Sequence, residues 1–178
     1  MKQLLLICAV VALVGCSGTI DLADQPELEK AIRESLKETR GVMPTGELTK
    51  ADLDKVASLI INSAKLTSVK GLEKLTKLEE LYLHGNQLTD VKGLEKLTQL
   101  KELDLGHNQL TDLKGLEKLT KLEVLDLHGN KLTDLKGLEK LTQLKSLIVE
   151  GSPDLTKAQI DELQKALPKC KIEHTATK

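Results

Sequence analysis

The stretch LEELYLHGNQLTDVKGLEKLTQ, residues 78–99, decides the fold because it returns with few changes at residues 100–121 and 122–143. Overlaying the copies aligns leucines in three columns and asparagines in a fourth. A fixed spacing of 22 residues indicates one structural unit stacked on copies of itself. The columns are Leu78, Leu100, Leu122 and Leu144; Leu81, Leu103, Leu125 and Leu147; Leu83, Leu105, Leu127 and Val149; and Asn86, Asn108 and Asn130.

The pattern L-x-x-L-x-L-x-x-N-x-L, repeated about every 20 to 29 residues, is the signature of leucine-rich repeats, and the chain resembles proteins of that family. The resemblance implies an α/β solenoid, a right-handed curved coil in which each repeat adds one short strand to a parallel sheet on the concave face. The convex side is expected to be mostly 3₁₀ turns and extended chain, because the segments between strands are too short for a crossover helix. We assign the repeats to residues 56–155; in the first of them Ala64 stands in the asparagine column.

Length, charge and composition narrow the classes of function. A chain of 178 residues has room for one domain, and the repeats occupy most of it. The formal net charge of -1 gives no electrostatic argument for binding nucleic acid. Because Tyr82 is the only phenylalanine, tryptophan or tyrosine in the chain, the predicted core is aliphatic.

The N-terminus has the form of a lipoprotein signal. A basic start precedes an apolar run, residues 4–14, that is too short to span a bilayer and is typical of a secretory signal. The letters LVGC at residues 13–16 resemble a bacterial lipobox, which implies cleavage before Cys16 and attachment of a diacylglyceryl group to it. We therefore assign residues 1–15 to the signal peptide and residues 16–19 to a lipidated tether. The alternative is an ordinary signal peptide or anchor with an unrelated cysteine.

The segment before the repeats, residues 20–55, has a helical pattern with Leu28, Ile32 and Leu36 on one face. We assign it as the N-terminal cap, because an open solenoid end would leave leucines in water. The stretch PELEKAIRESLKETRGVMPTGELTKADLDKV, residues 26–56, followed by units such as LTDLKGLEKLTKL, resembles the helical cap and repeats of internalin-type bacterial leucine-rich-repeat proteins. That family binds many unrelated partners, so the resemblance specifies the fold more closely than the function.

A longer closing repeat, residues 156–172, is predicted to be a helix–strand cap at the C-terminus. Thr156 and Gln159 form a capping box that predicts a helix. The final strand fits L-x-x-L-x-L with Cys170 in an inward leucine column, where a thiol serves as a small buried hydrophobe. A reactive or intermolecularly paired thiol is the alternative. The tail, residues 173–178, is expected to be disordered.

Three recurring polar columns follow from the repeat. Asn86, Asn108 and Asn130 are expected to form a ladder in which each buried amide bonds backbone groups of the neighbouring turn. Lysines and glutamates recur in two further columns, either as functional charge stripes or as a solvated outer face with opposite charges side by side. Glycines mark the tight corners. The lysines are 70, 92, 114 and 136, the glutamates 73, 95, 117 and 139, and the glycines 71, 93, 115 and 137.

The concave face is where a binding surface is expected, because its columns vary while the leucines do not. Side chains alternate inward and outward along a strand, so the neighbours of the inward leucines point out. The face is acidic, which favours a basic partner; the alternative is that the carboxylates keep an open sheet soluble. Tyr82 is the best candidate for a binding hot spot. The predicted partner-binding residues are Glu80, Tyr82, His84, Glu102, Asp104, Val124, Asp126, His128, Ile148 and Glu150.

No catalytic or metal site is predicted, and no cofactor. His84 and His128 lie two strands apart, about 10 Å at the usual strand spacing, and a flat sheet is not expected to bring such side chains together. His107 stands one position off their column. The chain has no phosphate-binding glycine loop and no nucleophile elbow.

The expected function is that of a membrane-anchored binding protein, not an enzyme, which holds a protein or peptide partner on its concave, acidic face. The alternative is an envelope lipoprotein with a structural or adhesive role and no dedicated ligand. We expect a monomer in the bacterial cell envelope, with no nucleic-acid partner. Ser17 after the cysteine fits transport to an outer membrane if the host is Gram-negative.

Overall fold

The structure is a computed structural model that describes residues 26–41 and 43–177. The predicted signal peptide, the lipidation site at Cys16 and the tether lie outside the described residues. Within the described ranges, no helix combines the length and the apolar composition needed to cross a bilayer.

Six short strands form one parallel sheet in chain order. Each strand pairs with the next in register, so that Leu81 lies beside Leu59 on one side and Leu103 on the other. This arrangement confirms the predicted solenoid of leucine-rich repeats. The strands are β1 (Ser58–Ile60), β2 (Glu80–Tyr82), β3 (Glu102–Asp104), β4 (Val124–Asp126), β5 (Ser146–Ile148) and β6 (Lys171–Glu173).

The leucine columns form one continuous core that runs the length of the solenoid. In the second repeat Leu78, Leu81 and Leu83 are all 0% exposed. A fully buried leucine side chain contributes about 1.5 to 3 kcal/mol, so stacked columns of them are the main stabilising term. The spacing L-x-x-L-x-L thus buries every leucine while leaving the residues between them in contact with water.

Four 3₁₀ turns connect the strands on the far side of the core, each preceded by a glycine in the left-handed region. At Gly93 φ is 107°, a backbone conformation that a side chain would strain. The N–H of Gly93 donates to Oε2 of Glu95 at 2.6 Å. The pKa of the Glu95 carboxyl is lowered by a hydrogen bond from its own backbone N–H and then by this bond from Gly93. The turns are Leu72–Lys74, Leu94–Lys96, Leu116–Lys118 and Leu138–Lys140.

The glutamate column therefore closes the corners of the solenoid. The same bond recurs from each corner glycine to the glutamate two residues later, at 2.6 to 2.7 Å. The pKa of Glu117 is lowered for the same reason as that of Glu95. The sequence suggested either a functional charge stripe or a solvated face of opposite charges for this column. Neither interpretation predicted a hydrogen bond to the corner glycine.

The asparagine column joins each repeat to the one before it. Oδ1 of Asn108 accepts the N–H of Leu88 at 3.0 Å, and its Nδ2 donates to the carbonyls of Leu83 and Leu105, each at 3.0 Å. The Leu83 carbonyl also accepts from Asn86, and the Leu105 carbonyl from Asn130. The three side chains and the shared carbonyls thus form one continuous hydrogen-bonded ladder through an apolar core.

Helix α1, Pro26–Arg40, covers the first strand. Its serine hydroxyl at Ser35 donates to the carbonyl of Ser58 at 2.8 Å. The helix ends at Arg40 and is followed by Gly41, which adopts φ of 74°. One face of α1 adds to the leucine core through Leu28, Ile32 and Leu36.

A single helical turn, α2 (Lys50–Leu53), follows α1. Thr49 and Asp52 form a reciprocal capping box at its start. The loop between the two helices is held by Arg33, whose Nη1 donates to the carbonyl of Pro44 at 2.9 Å. These contacts fix the helices on the end of the sheet.

Helix α3, Lys157–Ala166, packs against the last 3₁₀ turn and has the predicted Thr156–Gln159 capping box. After α3 the predicted alignment is wrong by two positions, because Ile172, not Cys170, pairs with Leu147. Cys170 lies in the preceding turn, is 4% exposed, and its burial raises the pKa of the thiol. Strand β6 also includes Glu173, which the sequence had assigned to the tail.

Replacing one ladder asparagine is expected to destabilise the fold. The substitution Asn108→Ala leaves the buried N–H of Leu88 without an acceptor and removes one donor from two shared carbonyls. We expect a loss of about 2 to 4 kcal/mol in the free energy of unfolding. Urea unfolding followed by far-ultraviolet circular dichroism measures it.

The matched control is Gln109→Ala, which removes an exposed amide from the next position of the same turn. Its effect is expected to lie within about 0.5 kcal/mol of the wild type. Equal destabilisation by the two variants would show that the ladder does not stabilise the core.

Candidate functional site

The side of the sheet that faces away from the leucine core is the surface predicted to be concave, and we call it the sheet face. Its side chains alternate with the buried leucines and continue two residues beyond each strand. Every predicted partner-binding residue lies on it. Its columns are Ser58, Glu80, Glu102, Val124 and Ser146; Ile60, Tyr82, Asp104, Asp126 and Ile148; and Asn62, His84, Gly106, His128 and Glu150.

Carboxylates give the sheet face its charge. From β2 to β5 these columns contain no lysine or arginine. The first basic residue along the face is Lys171 in β6, and it forms an ion pair with Glu173 at 2.6 Å. The acidic residues are Glu80, Glu102, Asp104, Asp126 and Glu150.

Two of the carboxylates also shape the ends of their strands. Oδ1 of Asp104 accepts the N–H of Gly106 at 2.8 Å, and Oδ1 of Asp126 accepts the N–H of His128 at 2.9 Å. Replacing either aspartate would therefore disturb the backbone as well as the charge. By contrast, Glu80 and Glu150 make no side-chain hydrogen bond to any described residue.

Tyr82 is held in place by a neighbouring carboxylate. Its hydroxyl donates to Oε2 of Glu102 at 2.9 Å. Burial raises the pKa of Tyr82 from 10.0 to about 12, with further contributions from the hydrogen bond and charge of Glu102 and the charges of Glu80 and Asp104. The ring is therefore a fixed, neutral platform with one polar end.

An exposed isoleucine lies beside this tyrosine. Ile60 pairs in register with Tyr82, and it is 63% exposed. The predicted binding residues omitted Ile60, although it occupies the same column as Tyr82. Together the two side chains give the acidic face an apolar end.

Three histidines meet at the edge of the sheet face, and the expectation that His84 and His128 stay about two strand spacings apart is wrong. Their ring centroids are 5.3 Å apart. His107 stands between them, with centroids 5.1 Å from His84 and 4.4 Å from His128. One ring nitrogen from each histidine lies within 4.8 Å of the other two.

A change in residue order explains why the rings meet. The first and third repeats of the group read His84-Gly85 and His128-Gly129, whereas the middle repeat reads Gly106-His107. A Cβ atom at Gly106 would lie 2.5 Å from Cε1 of His128 and 3.0 Å from Nδ1 of His84, so a larger residue would require the rings to move. A Cβ atom at Gly129 would likewise lie 2.7 Å from Nδ1 of His107.

His107 adopts a left-handed backbone conformation that glycine adopts at the equivalent position of the repeats on either side. Its φ is 50°, while Gly85 and Gly129 at the equivalent positions have φ of 70° and 65°. A non-glycine residue in this region costs about 1 to 2 kcal/mol. The exchanged Gly-His order is the feature of the sequence that indicates this cluster. The alignment in columns placed His107 one position away from His84 and His128, so it was not predicted to lie with them.

The family model for leucine-rich repeats (two copies) matches the chain at residues 55–96, 76–118, 98–140 and 120–165. These overlapping matches cover the strands β1 to β5 and most of α3. No enzyme family is indicated. Among curated protein sequences, none matches this chain.

Solved structures of bacterial proteins share the fold. A Listeria monocytogenes internalin, InlF, superposes with a TM-score of 0.77 at 28% identity over 93% of this chain and 48% of its own. A leucine-rich-repeat protein of Leptospira interrogans is 35% identical over 57% of this chain and 26% of its own, with a TM-score of 0.53. The functional domain of Listeria InlJ has a TM-score of 0.65 at 22% identity, over 85% of this chain and 37% of its own. The chain thus spans less than half the length of these three structures.

The tyrosine titration can be followed directly, because Tyr82 is the only tyrosine and the chain has no tryptophan. We expect tyrosinate absorbance to develop around pH 12 and Glu102→Gln to lower that pKa towards 10.0, since it removes a neighbouring negative charge. The raised pKa favours the neutral phenol in the folded state. Its contribution to stability is therefore complete below pH 10 and is lost as the pH rises through about 12.

The control is Glu150→Gln, which removes a carboxylate three strands from the ring and is expected to leave the titration unchanged. A wild-type midpoint at 10.0, or equal shifts in both variants, would contradict the assigned Tyr82–Glu102 interaction.

Proposed function

The chain belongs to the leucine-rich-repeat family, and from this premise we propose that it is a binding protein whose sheet face holds a basic protein or peptide. In this proposal the molecule is a monomer anchored to a bacterial membrane through Cys16. The helices before β1 and the repeat containing α3 act as end caps that keep the leucine core dry.

The composition of the sheet face is the observation that carries the proposal. Carboxylates from four adjacent repeats face one way, with no lysine or arginine among them between β2 and β5. Such a surface attracts cationic groups and repels acidic ones, which sets both the rate of encounter and the choice of partner. Ile60 and Tyr82 add apolar area at one end of the face. In protein interfaces a few side chains, tyrosine often among them, contribute most of the binding free energy.

The rigidity of the scaffold also favours binding. Strands β2 to β5 are hydrogen-bonded on both sides, and the leucine at the centre of each is buried. Side chains carried on such strands are already positioned before a partner arrives, so less conformational entropy is lost on binding.

The proposed anchor keeps the start of α1 close to a membrane surface. Residues 17–25 separate Cys16 from the start of α1, and nine residues span at most about 30 Å when fully extended. A covalently attached lipid with more than one acyl chain holds a protein stably on a membrane without a transmembrane helix. The proposed location is therefore the bacterial cell envelope.

Charge reversal on the sheet face is expected to abolish partner capture. The variant Glu80→Lys with Glu150→Lys changes two carboxylates that make no described side-chain hydrogen bond, so the fold should be kept. A photo-cross-linking residue at position 60, in cells of the host organism, reports the partner. We expect the cross-link to fall at least about tenfold in the charge-reversed protein, and in the wild type to weaken as salt is added.

Two matched controls make this result specific. The variant Asp154→Lys with Glu162→Lys makes the same change in net charge on exposed residues near and within α3 and should cross-link like the wild type. A cross-linker at exposed Lys118, on the opposite side of the core, should capture nothing saturable. Capture from Lys118 alone, or from neither position, would favour a structural or adhesive role without a dedicated ligand.

Lipidation is tested by fatty-acid labelling. Cells given a radiolabelled fatty acid should label the wild-type protein and not Cys16→Ser, which should also leave the membrane fraction. The control Cys8→Ser changes a cysteine of the predicted signal peptide and should label normally. Label that persists in Cys16→Ser would show that the lipobox assignment is wrong.

A further inference from the structure

We propose that His84, His107 and His128 bind one divalent transition-metal ion of the zinc class. Each histidine offers one ring nitrogen, and the three nitrogens lie within 4.8 Å of one another. The nitrogens of a tetrahedral zinc site, with Zn–N bonds of about 2.0 to 2.1 Å, are about 3.4 Å apart, so each must move by only about 1 Å. Rotation of side chains that are half-buried or exposed supplies that movement.

One aspartate holds a ligand by a hydrogen bond, and a second aspartate lies near another ligand without one. Nδ1 of His128 lies 2.7 Å from Oδ1 of Asp126, and Nδ1 of His84 lies 3.8 Å from Oδ1 of Asp104. Ligand histidines characteristically give one ring N–H to such a carboxylate, which leaves the other nitrogen for the ion. In His128 that arrangement assigns the metal to Nε2.

The backbone is also built around these rings. Gly106 and Gly129 are positions where a Cβ atom would collide with the histidines. His107 takes the left-handed conformation that glycine takes in the repeats on either side. Ser63 takes the same conformation at the equivalent position of the first repeat, so the turn of each repeat imposes it. The exchanged Gly-His order is what brings the ring of His107 to the other two.

The donor set selects the class of ion. Three imidazoles suit zinc, nickel and copper, while calcium and magnesium require oxygen ligands. Three protein ligands also leave a fourth position, as in zinc sites that bind water or an incoming group. Because His107 is exposed, that position opens towards solvent.

The nearby carboxylates strengthen the attraction for a cation. The sheet face has no lysine or arginine between β2 and β5 to oppose a positive ion. The site is measured on the protein alone, so its outcome is independent of whether the sheet face also binds a basic partner.

The test is calorimetric titration of the full chain, without a polyhistidine tag and after chelator treatment, with zinc, nickel and calcium chlorides. We expect one zinc ion per chain, nickel binding at the same site and no calcium binding. The variant His107→Gly should weaken zinc binding by more than about 100-fold. Asp126→Asn keeps an oxygen acceptor for the backbone N–H of His128 but removes the negative charge beside the ring, and should weaken binding by only about 10- to 100-fold. Glycine suits the backbone at position 107, so urea unfolding of this variant should occur at the wild-type concentration or above.

A second readout assigns the ligands. The chain has four histidines, so long-range proton–nitrogen spectra of the imidazoles are simple to assign. Zinc should shift the ring nitrogens of His84, His107 and His128 and leave those of His174 unchanged, and His174→Ala should bind zinc like the wild type. No zinc binding by the wild type, equal binding by His107→Gly, or loss of binding in His174→Ala would overturn the proposal.

Discussion

The hydrogen bonds of the asparagine ladder allow a leucine core to contain so much non-helical backbone. Each turn from strand to corner leaves N–H and carbonyl groups facing apolar side chains, where an unpaired group is costly. Asn86, Asn108 and Asn130 satisfy these groups and share carbonyls with one another, so that each repeat completes the hydrogen bonding of its neighbour. A single repeat therefore lacks the partners that it needs to be stable alone.

The same bonding separates the scaffold from its surface. Leucine, asparagine, corner glycine and glutamate each have an inward or corner role, and they recur almost without change. Most positions between them contact only solvent and the next strand, and a substitution there costs little stability; Asp104 and Asp126, which accept backbone N–H groups, are exceptions. A carboxylate, a tyrosine or a histidine on this face adds chemistry without altering the fold beneath it.

Much of this organisation follows from the spacing of residues in the sequence. The strands, their register from β1 to β5, the burial of the leucines and the 3₁₀ turns all follow from a 22-residue period. Alignment failed at β6, because helix α3 lengthens the last repeat and moves Ile172 into the leucine column. The alignment also failed to predict that the three histidine rings meet. Assigning each residue to a column did not take account of side-chain rotation or of the left-handed backbone of His107. Columns predict where a Cα atom lies, whereas a site depends on where side-chain atoms meet.

The histidine cluster depends on three repeats lying next to one another, because each of its rings comes from a different repeat. Duplicating or deleting a whole unit outside the three histidine-bearing repeats would lengthen or shorten the sheet and leave the cluster as it is. An extra unit inserted among them would move two of the rings apart by a further strand spacing of about 4.8 Å, although every leucine and asparagine would still find its partner. The fold thus accepts an added or deleted repeat anywhere along its axis. The histidine cluster is kept only when the change falls before or after the three repeats that carry the histidines.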